Sequence, residues 1–321
     1  MQAVSFPGIA PGHTQEGPFS TPYNRLPSNG VPMPTPQPEL FPPLLPGITR
    51  EILHDPALVS VSAKHIRCRG KKFNLVTPFA GKKFCFSDYM RGIRRLPLEK
   101  AHAVWYDNSN DPKFHKKLQK TLEENFDSWI LLQDRNKAHT VESTDQYAYI
   151  SYRCHRIYRE LYLKQICHSV GLCVNIEDDV EIPKGTWEKL TSILELYPEV
   201  GTAVGACRSR RMKDRPLCHP MAWHFERVES IGPVPTVKVR IPAPIIEKPL
   251  GLEMIGASHM GCWFTRTPLI KKIGMNYDVD GLRAQDMCWG YQLNQAGIRM
   301  AVDWSVKAKH FGKRDGVKTS V

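Results

Sequence analysis

Cys173-Val174-Asn175-Ile176-Glu177-Asp178-Asp179-Val180-Glu181-Ile182-Pro183 decides how this chain is read. A short apolar run, Cys173 to Ile176, passes directly into three consecutive carboxylates, and Pro183 opens a predicted helix at Gly185 to Leu196. A strand, a polar loop and a helix in that order make the repeating unit of an α/β domain. Three adjoining carboxylates repel one another, so they cost stability unless a cation or strong donors neutralise them. Alternation along extended backbone sends Glu177 and Asp179 to one side and Asp178 to the other. Paired carboxylate oxygens suit Mg²⁺ or Mn²⁺ bound jointly with phosphate. On the triplet alone, a solvated acidic turn before a helix accounts for the pattern equally well.

Upstream, the same alternation of short apolar strands and amphipathic helices begins at Lys71. It predicts a strand at Phe73 to Thr77 ending in Pro78, a helix near Asp88 to Leu96, and a strand at His102 to Tyr106 running into the polar loop Asp107-Asn108-Ser109-Asn110-Asp111. A helix from Pro112 to Asn125 follows, then a strand from Trp129 to Gln133 and a long helix from about Asp145 to Ser169. The fold class this predicts is α/β, with a mixed, mainly parallel sheet flanked by helices. Open sheets of this kind bind ligands at the carboxyl ends of their strands, which puts the Asp107 loop and the Glu177 to Asp179 loop on one edge. There is no internal repeat.

The whole chain has 321 residues, 41% hydrophobic and 24% charged, enough to bury a substantial core. Its apolar stretches are short and broken by charge, below the ~20 residues that cross a bilayer. Residues 1 to 20 lack a basic start followed by an apolar run, so the expected location is the cytoplasm. Residues 1 to 48 hold twelve of the 26 prolines and little periodicity, the signature of an extended or disordered Pro-rich tail before a domain over 49–321. The nine cysteines are scattered and never form a C-x-x-C pair, so they read as reduced core thiols and not as a zinc cluster. A formal charge of +12 favours polyanionic partners without specifying one.

From residue 71 to 312 the order of features resembles the GT-A nucleotide-diphospho-sugar glycosyltransferases. Phe73-Asn74-Leu75-Val76-Thr77-Pro78 resembles that family's first strand and nucleoside-binding turn, and Trp105-Tyr106-Asp107-Asn108-Ser109 its second strand with a base-binding acid. Glu177-Asp178-Asp179 stands where the family carries D-x-D, with Glu in the first position. Gly256-Ala257-Ser258-His259-Met260-Gly261-Cys262, followed by Phe264-Thr265-Arg266 and Ile270 to Gly274, resembles the family's small-residue acceptor-side strand. Ala284-Gln285-Asp286-Met287-Cys288-Trp289-Gly290 resembles its E-D-x-x-x motif heading a helix, with Gln285 in place of Glu, and His310 matches a late histidine of many members.

The resemblance implies a metal-dependent transferase using a UDP-sugar donor, with about 71–190 as the nucleotide-sugar half and 191–321 as the acceptor half. It implies donor binding by Thr77, Pro78, Asp107, Asn108 and Asp178, and a Mn²⁺ or Mg²⁺ ion on Glu177, Asp179 and His310. On the acceptor side it implies Gly256, Ser258, His259, Gln285 and Trp289, with Asp286 as catalytic base in an inverting displacement. Taken without the family, His310 would more often be structural.

The acceptor is read from charge. Arg208, Arg210, Arg211 and Lys213 lie in a basic run that would meet phosphates, and Trp223, His224 and Phe225 are candidate stackers, so the leading expectation is a hydroxylated base in DNA. A polysaccharide, lipid-linked or protein acceptor is the rival, and core packing is the plainer account of Trp223 and Phe225. No protein partner is identifiable. A non-catalytic nucleic-acid-binding α/β protein would gain nothing from acids gathered at one mouth, where they repel phosphate. A dehydrogenase is disfavoured because no G-x-G-x-x-G follows the first strand.

Overall fold

A computed structural model describes residues 59–134, 157–208, 221–224, 226–228, 238–240, 250–275, 285–314 and 317–320. The expected Pro-rich tail, 1–48, lies outside the described residues.

Strand β1 spans Val59–His65 and β2 Phe73–Phe79; helix α1, Phe86–Ile93, leads to β3, Ala101–Asp107, α2, Pro112–Asn125, and β4, Trp129–Asp134. Helix α2 shows why these elements form where they do. Asp111 caps it by accepting from the Lys113 and Phe114 amides, Pro112 starts it, and Phe114, Leu118 and Leu122 recur at four-residue spacing to bury one face. Strand β5, Leu172–Ile176, is followed by β6, Val180–Glu181, α3, Thr186–Leu196, and β7, Val200–Cys207. Beyond these come β8, Ala222–Trp223; β9, Glu226–Val228; β10, Lys238–Arg240; β11, Leu252–Ile255; β12, Ala257–Ser258; and β13, Cys262–Arg266. Helices α4, Thr267–Ile273, and α5, Gln285–Gln295, precede β14, Arg299–Arg314, and β15, Val317–Ser320.

The main sheet runs β1-β4-β3-β2-β5-β13-β7-β14-β11. Strands β4, β3, β2 and β5 are mutually parallel, and so are β7 and β14. Strand β13 lies antiparallel between β5 and β7, while β1 and β11 close the edges antiparallel. The sheet is therefore mixed and largely parallel. Strands β3 and β7 are buried along their whole length, as expected where both faces are covered. Successive residues of one strand feed opposite layers: Leu75, Trp105, Leu131 and Phe264 join one core cluster, and Val76, Val104, Tyr106, Ile130 and Trp263 the other.

Several expected elements are corrected. Strand β1 replaces what was read as chain outside the domain's regular pattern. Helix α1 starts two residues before Asp88 and stops at Ile93, short of Leu96. The long helix predicted to reach Ser169 ends in a π-helical turn at Leu161–Gln165. The cause is Asn74, whose side chain accepts from the Cys167 amide at 2.8 Å and donates to the Cys167 carbonyl at 3.1 Å, capturing the backbone the next turn would need. Its beginning, 145–156, lies outside the described residues. The acceptor-side stretch 256–274 is not one strand but β12, β13 and α4. The two late segments, 300–302 and 306–309, merge in β14, which gives Trp304, Ser305 and Val306 to the gap between consecutive partners on β7: Asp303 pairs Gly205 and Lys307 pairs Ala206.

Seven cysteines fall among the described residues, all free thiols, five of them buried.

Candidate metal centre

Strand β5 delivers Glu177, Asp178 and Asp179 at its carboxyl end, and a turn closed by the Val180 amide on the Glu177 carbonyl at 3.1 Å leads into β6. Strand β6 is only two residues long, yet its position decides the site. It pairs antiparallel with β14, Lys309 opposite Glu181 and His310 opposite Val180, and the Phe311 amide donates to the Asp179 carbonyl at 2.8 Å. The pairing brings His310 beside Asp179 across 131 positions of sequence. From the other side β6 is held by α1. A Cβ on Gly92 would stand 2.9 Å from the Ile182 amide nitrogen, so only glycine allows that approach, and Arg91 and Arg95 both bind the Glu181 carboxylate.

Ligand atoms of Glu177, Asp179 and His310 lie within 4.8 Å of one another. Asp178, in the turn between β5 and β6, is not one of that group. Its Oδ2 accepts from the Ala80 and Lys82 amides at 2.8 and 3.3 Å, so it fastens the loop after β2. Burial raises the Asp178 pKa against the pull of Lys82 and those two amides. Burial also raises the Glu177 pKa, reinforced by the charge of Asp179. The Asp179 Oδ2 takes Lys82 Nζ at 2.7 Å and His310 Nε2 at 3.1 Å. Burial opposes a charged His310, but the hydrogen bond and charge of Asp179 outweigh it and raise its pKa.

The His310 Nδ1–H donates to the Arg208 carbonyl at 3.0 Å, which fixes the proton on that nitrogen. In the neutral ring, Nε2 then carries the lone pair a metal requires, and a carbonyl partner on the far nitrogen is the usual support for such a ligand. Two carboxylates and one imidazole form a donor set that Mn²⁺ accepts readily and Mg²⁺ less so. The residues fit the ion.

The residues expected to bind donor are tied into the scaffold. Thr77 is buried, its hydroxyl 2.6 Å from that of Tyr89. Asp107 accepts from the Ser109 amide and from the His115 Nδ1–H, both at 2.8 Å, and the His115 Nε2 lies 2.7 Å from the Ser62 hydroxyl. Pro78 and Asn108 are half-buried at the same edge, and the Asn108 amide donates to the Phe79 carbonyl.

Among the residues expected on an acceptor side, the Gly256 amide donates to the Trp223 carbonyl, and the Ser258 hydroxyl and the His259 amide both reach the Met221 carbonyl. The buried His259 ring accepts from the Gly261 amide on Nδ1. Burial and then the charge of His310 lower its pKa to about 3, so it is neutral. Gln285 and Asp286 occupy the first turn of α5, where burial pushes Asp286 up to about 6 against the hydrogen bond from the Met287 amide. Trp289 points into the core instead: it is buried against Trp263, with Nε1 donating to the Thr202 hydroxyl, so it supports α5 and meets no acceptor.

Of the basic run, Arg208 is described and exposed, while Arg210, Arg211 and Lys213 lie outside the described residues, as does Phe225. Trp223 is half-buried and paired in β8, and the His224 Nε2 is 3.5 Å from the Glu253 carboxylate. Sequence reading missed Lys82, His115, Tyr89 and Tyr158, whose hydroxyl approaches the Glu177 carboxylate at 3.4 Å. Only His115 had a signal, a polar residue one turn into a helix that starts beside Asp107.

No family model matches the chain, and no curated protein matches it by sequence. Solved structures do. GalNAc-T7 with UDP, GalNAc and Mn²⁺ superposes with a TM-score of 0.50 at 12% identity, over 76% of this chain and 44% of that one. TarS 1–349 of S. aureus in complex with UDP-GlcNAc gives 0.45 at 13% identity, over 77% and 60%. A197 from STIV gives 0.42 at 11% identity, over 75% and 86%. Among the described residues no helix is long and apolar enough to cross a membrane. The chain has a Rossmann-like fold of the GT-A kind, and Glu177, Asp179 and His310 form a candidate metal site within it.

Proposed function

We propose that this protein transfers a sugar from a nucleoside diphosphate donor, of the UDP class, to a hydroxyl of a polysaccharide, lipid-linked or protein acceptor. The observation that carries this reading is the convergence of Glu177, Asp179 and His310 at the carboxyl edge of a GT-A sheet. Its likeness to GalNAc-T7, solved with UDP, GalNAc and Mn²⁺, supports the donor and ion.

A divalent ion held by Glu177, Asp179 and His310 would supply positive charge to the departing diphosphate. The rest falls to the chain. Asp178 holds the 80–82 loop at the donor edge, and the Arg208 carbonyl keeps His310 in the ligating tautomer. Asp286, with a pKa near 6, is ionised at neutral pH and still basic enough to take the acceptor hydroxyl proton as that oxygen attacks the anomeric carbon. Attack from the face opposite the leaving group gives inversion. A hydroxylated DNA base has less support as acceptor, because the candidate stacker Trp223 is half-buried, paired in β8 and packed against the core.

The test is release of nucleoside diphosphate from a panel of nucleotide sugars with Mn²⁺, using glycan, glycopeptide, lipid-linked and hydroxymethylated-DNA acceptors. Metal-dependent turnover lost in Asp179→Ala and Asp286→Asn supports the reading. Stimulation by DNA alone restores the DNA acceptor, and binding of nucleic acid with no donor turnover replaces the enzyme with a binding protein.

A further inference from the structure

The loop after β2 sends one side chain into the acidic centre. Lys82 Nζ lies 2.7 Å from Asp179 Oδ2 and 3.3 Å from Asp178 Oδ1, while its backbone amide is held by Asp178 Oδ2 at 3.3 Å. Asp179 is fully buried, whereas Lys82 keeps 21% of its side chain exposed, so the lysine reaches the acid from the solvent side. The Asp179 oxygen it holds also takes His310 Nε2. Two buried carboxylates beside each other demand a nearby cation, and here the chain supplies its own. An ammonium and a divalent ion cannot both occupy that oxygen at bonding distance, since they repel strongly in a dry site.

We propose that Lys82 is an exchangeable counter-ion of this centre, one that holds Asp179 until a divalent ion displaces it and that thereby sets the affinity of the site. The proposal rests on the metal reading of Glu177, Asp179 and His310. The long, flexible lysine stem makes the exchange feasible: the ammonium swings out while Asp178 keeps the loop backbone in place.

Two measurements test this without turnover. The first is Mn²⁺ binding followed by the paramagnetic resonance of the free ion, for wild type, Lys82→Met and Lys82→Arg. Removal of the ammonium is expected to tighten binding by about tenfold or more, and the arginine variant to bind no tighter than wild type. The second uses wild type alone, so a poorly folded variant cannot obscure it. Trace acetylation with peptide mapping is expected to show Lys82 labelling rise severalfold on adding Mn²⁺, with the neighbouring Lys83, about half-exposed, as reference. Mn²⁺ bound equally by wild type and Lys82→Met, or Lys82 labelling indifferent to the ion, overturns the exchange and leaves the metal site standing. Absence of Mn²⁺ binding in wild type and Lys82→Met alike removes the metal site and the exchange together.

Discussion

A Cβ placed on Gly290 would stand 2.4 Å from the carbonyl oxygen of Gly256 and 2.7 Å from the Cβ of Ala257. Helix α5 thus meets the β12 segment backbone to backbone, one turn along the helix from Asp286. Gly290→Ala is expected to cost about 1–3 kcal/mol, since neither backbone can yield cheaply. Transfer should fall further than the loss of stability accounts for, because the helix must move and Asp286 moves with it. Chemical denaturation and initial rates on one preparation compare the two effects.

Asp286→Asn should lower transfer by roughly 10²- to 10⁴-fold with donor binding unchanged, the range for a lost general base. In wild type the rate should climb with pH through a midpoint near 6, as the carboxyl ionises. Stability moves the opposite way. The folded pKa lies above the usual 3.8, so the favourable contribution of the protonated carboxyl is complete below 3.8 and is lost as pH rises through about 6. At pH 7 the asparagine variant should therefore be the more stable protein, by on the order of 2 kcal/mol, which a pH series of thermal melts would detect.

Mn²⁺ should stabilise the wild-type fold, by about 2.7 kcal/mol at a hundredfold excess over its dissociation constant. Asp179→Asn and His310→Gln are each expected to abolish most of that gain. Thermal melts with Mn²⁺ and with a chelator make the comparison, and an equal Mn²⁺ gain in the variants would assign the effect to another site.

Glu181→Gln should destabilise the protein by on the order of 1–3 kcal/mol through loss of charged hydrogen bonds. The Arg91 guanidinium holds the Glu181 carboxyl below its usual 4.5, so this contribution is full above 4.5 and disappears as pH falls through the lower folded value. The difference between variant and wild type should accordingly shrink in acid. Loosening β6 from α1 should also weaken Mn²⁺ binding, although Glu181 is not a ligand, because β6 sets Asp179 against His310.

Much of the parallel half was legible because its signals are local. Pro112 to Asn125 has its cap, its proline and its apolar stripe within fourteen residues, and the helix found has those bounds. The alternation of Val59-Ser60-Val61 was equally readable as the start of an edge strand, and was passed over. The mixed half was not legible, since nothing near Cys262 to Arg266 says that it runs antiparallel between β5 and β7. At the site, Glu177 and Asp179 were expected together from strand alternation, and they come together through the turn between β5 and β6 instead. The Lys82 contact was not legible, because it depends on a loop returning across 97 positions to Asp179. Asp107 ends β3, while Thr77 lies inside β2, which runs on through Pro78 to Phe79, and no local pattern signals that Tyr89 and His115 engage them.

The excursion of β14 at Trp304, Ser305 and Val306 limits how this lineage can vary in length. The Gly251 carbonyl holds the Trp304 amide, the Glu253 carboxylate its indole, and Asp303 the Ser305 amide, so these residues are fixed in number as well as in place. After them, exposed Lys307 and Lys309 alternate with buried Ala308 and His310. Inheriting one extra residue there would bring Lys309 to Asp179 in place of the imidazole, and losing one would bring Phe311. Descendants of this sequence can exchange side chains along β14 with some freedom, but they must conserve the count.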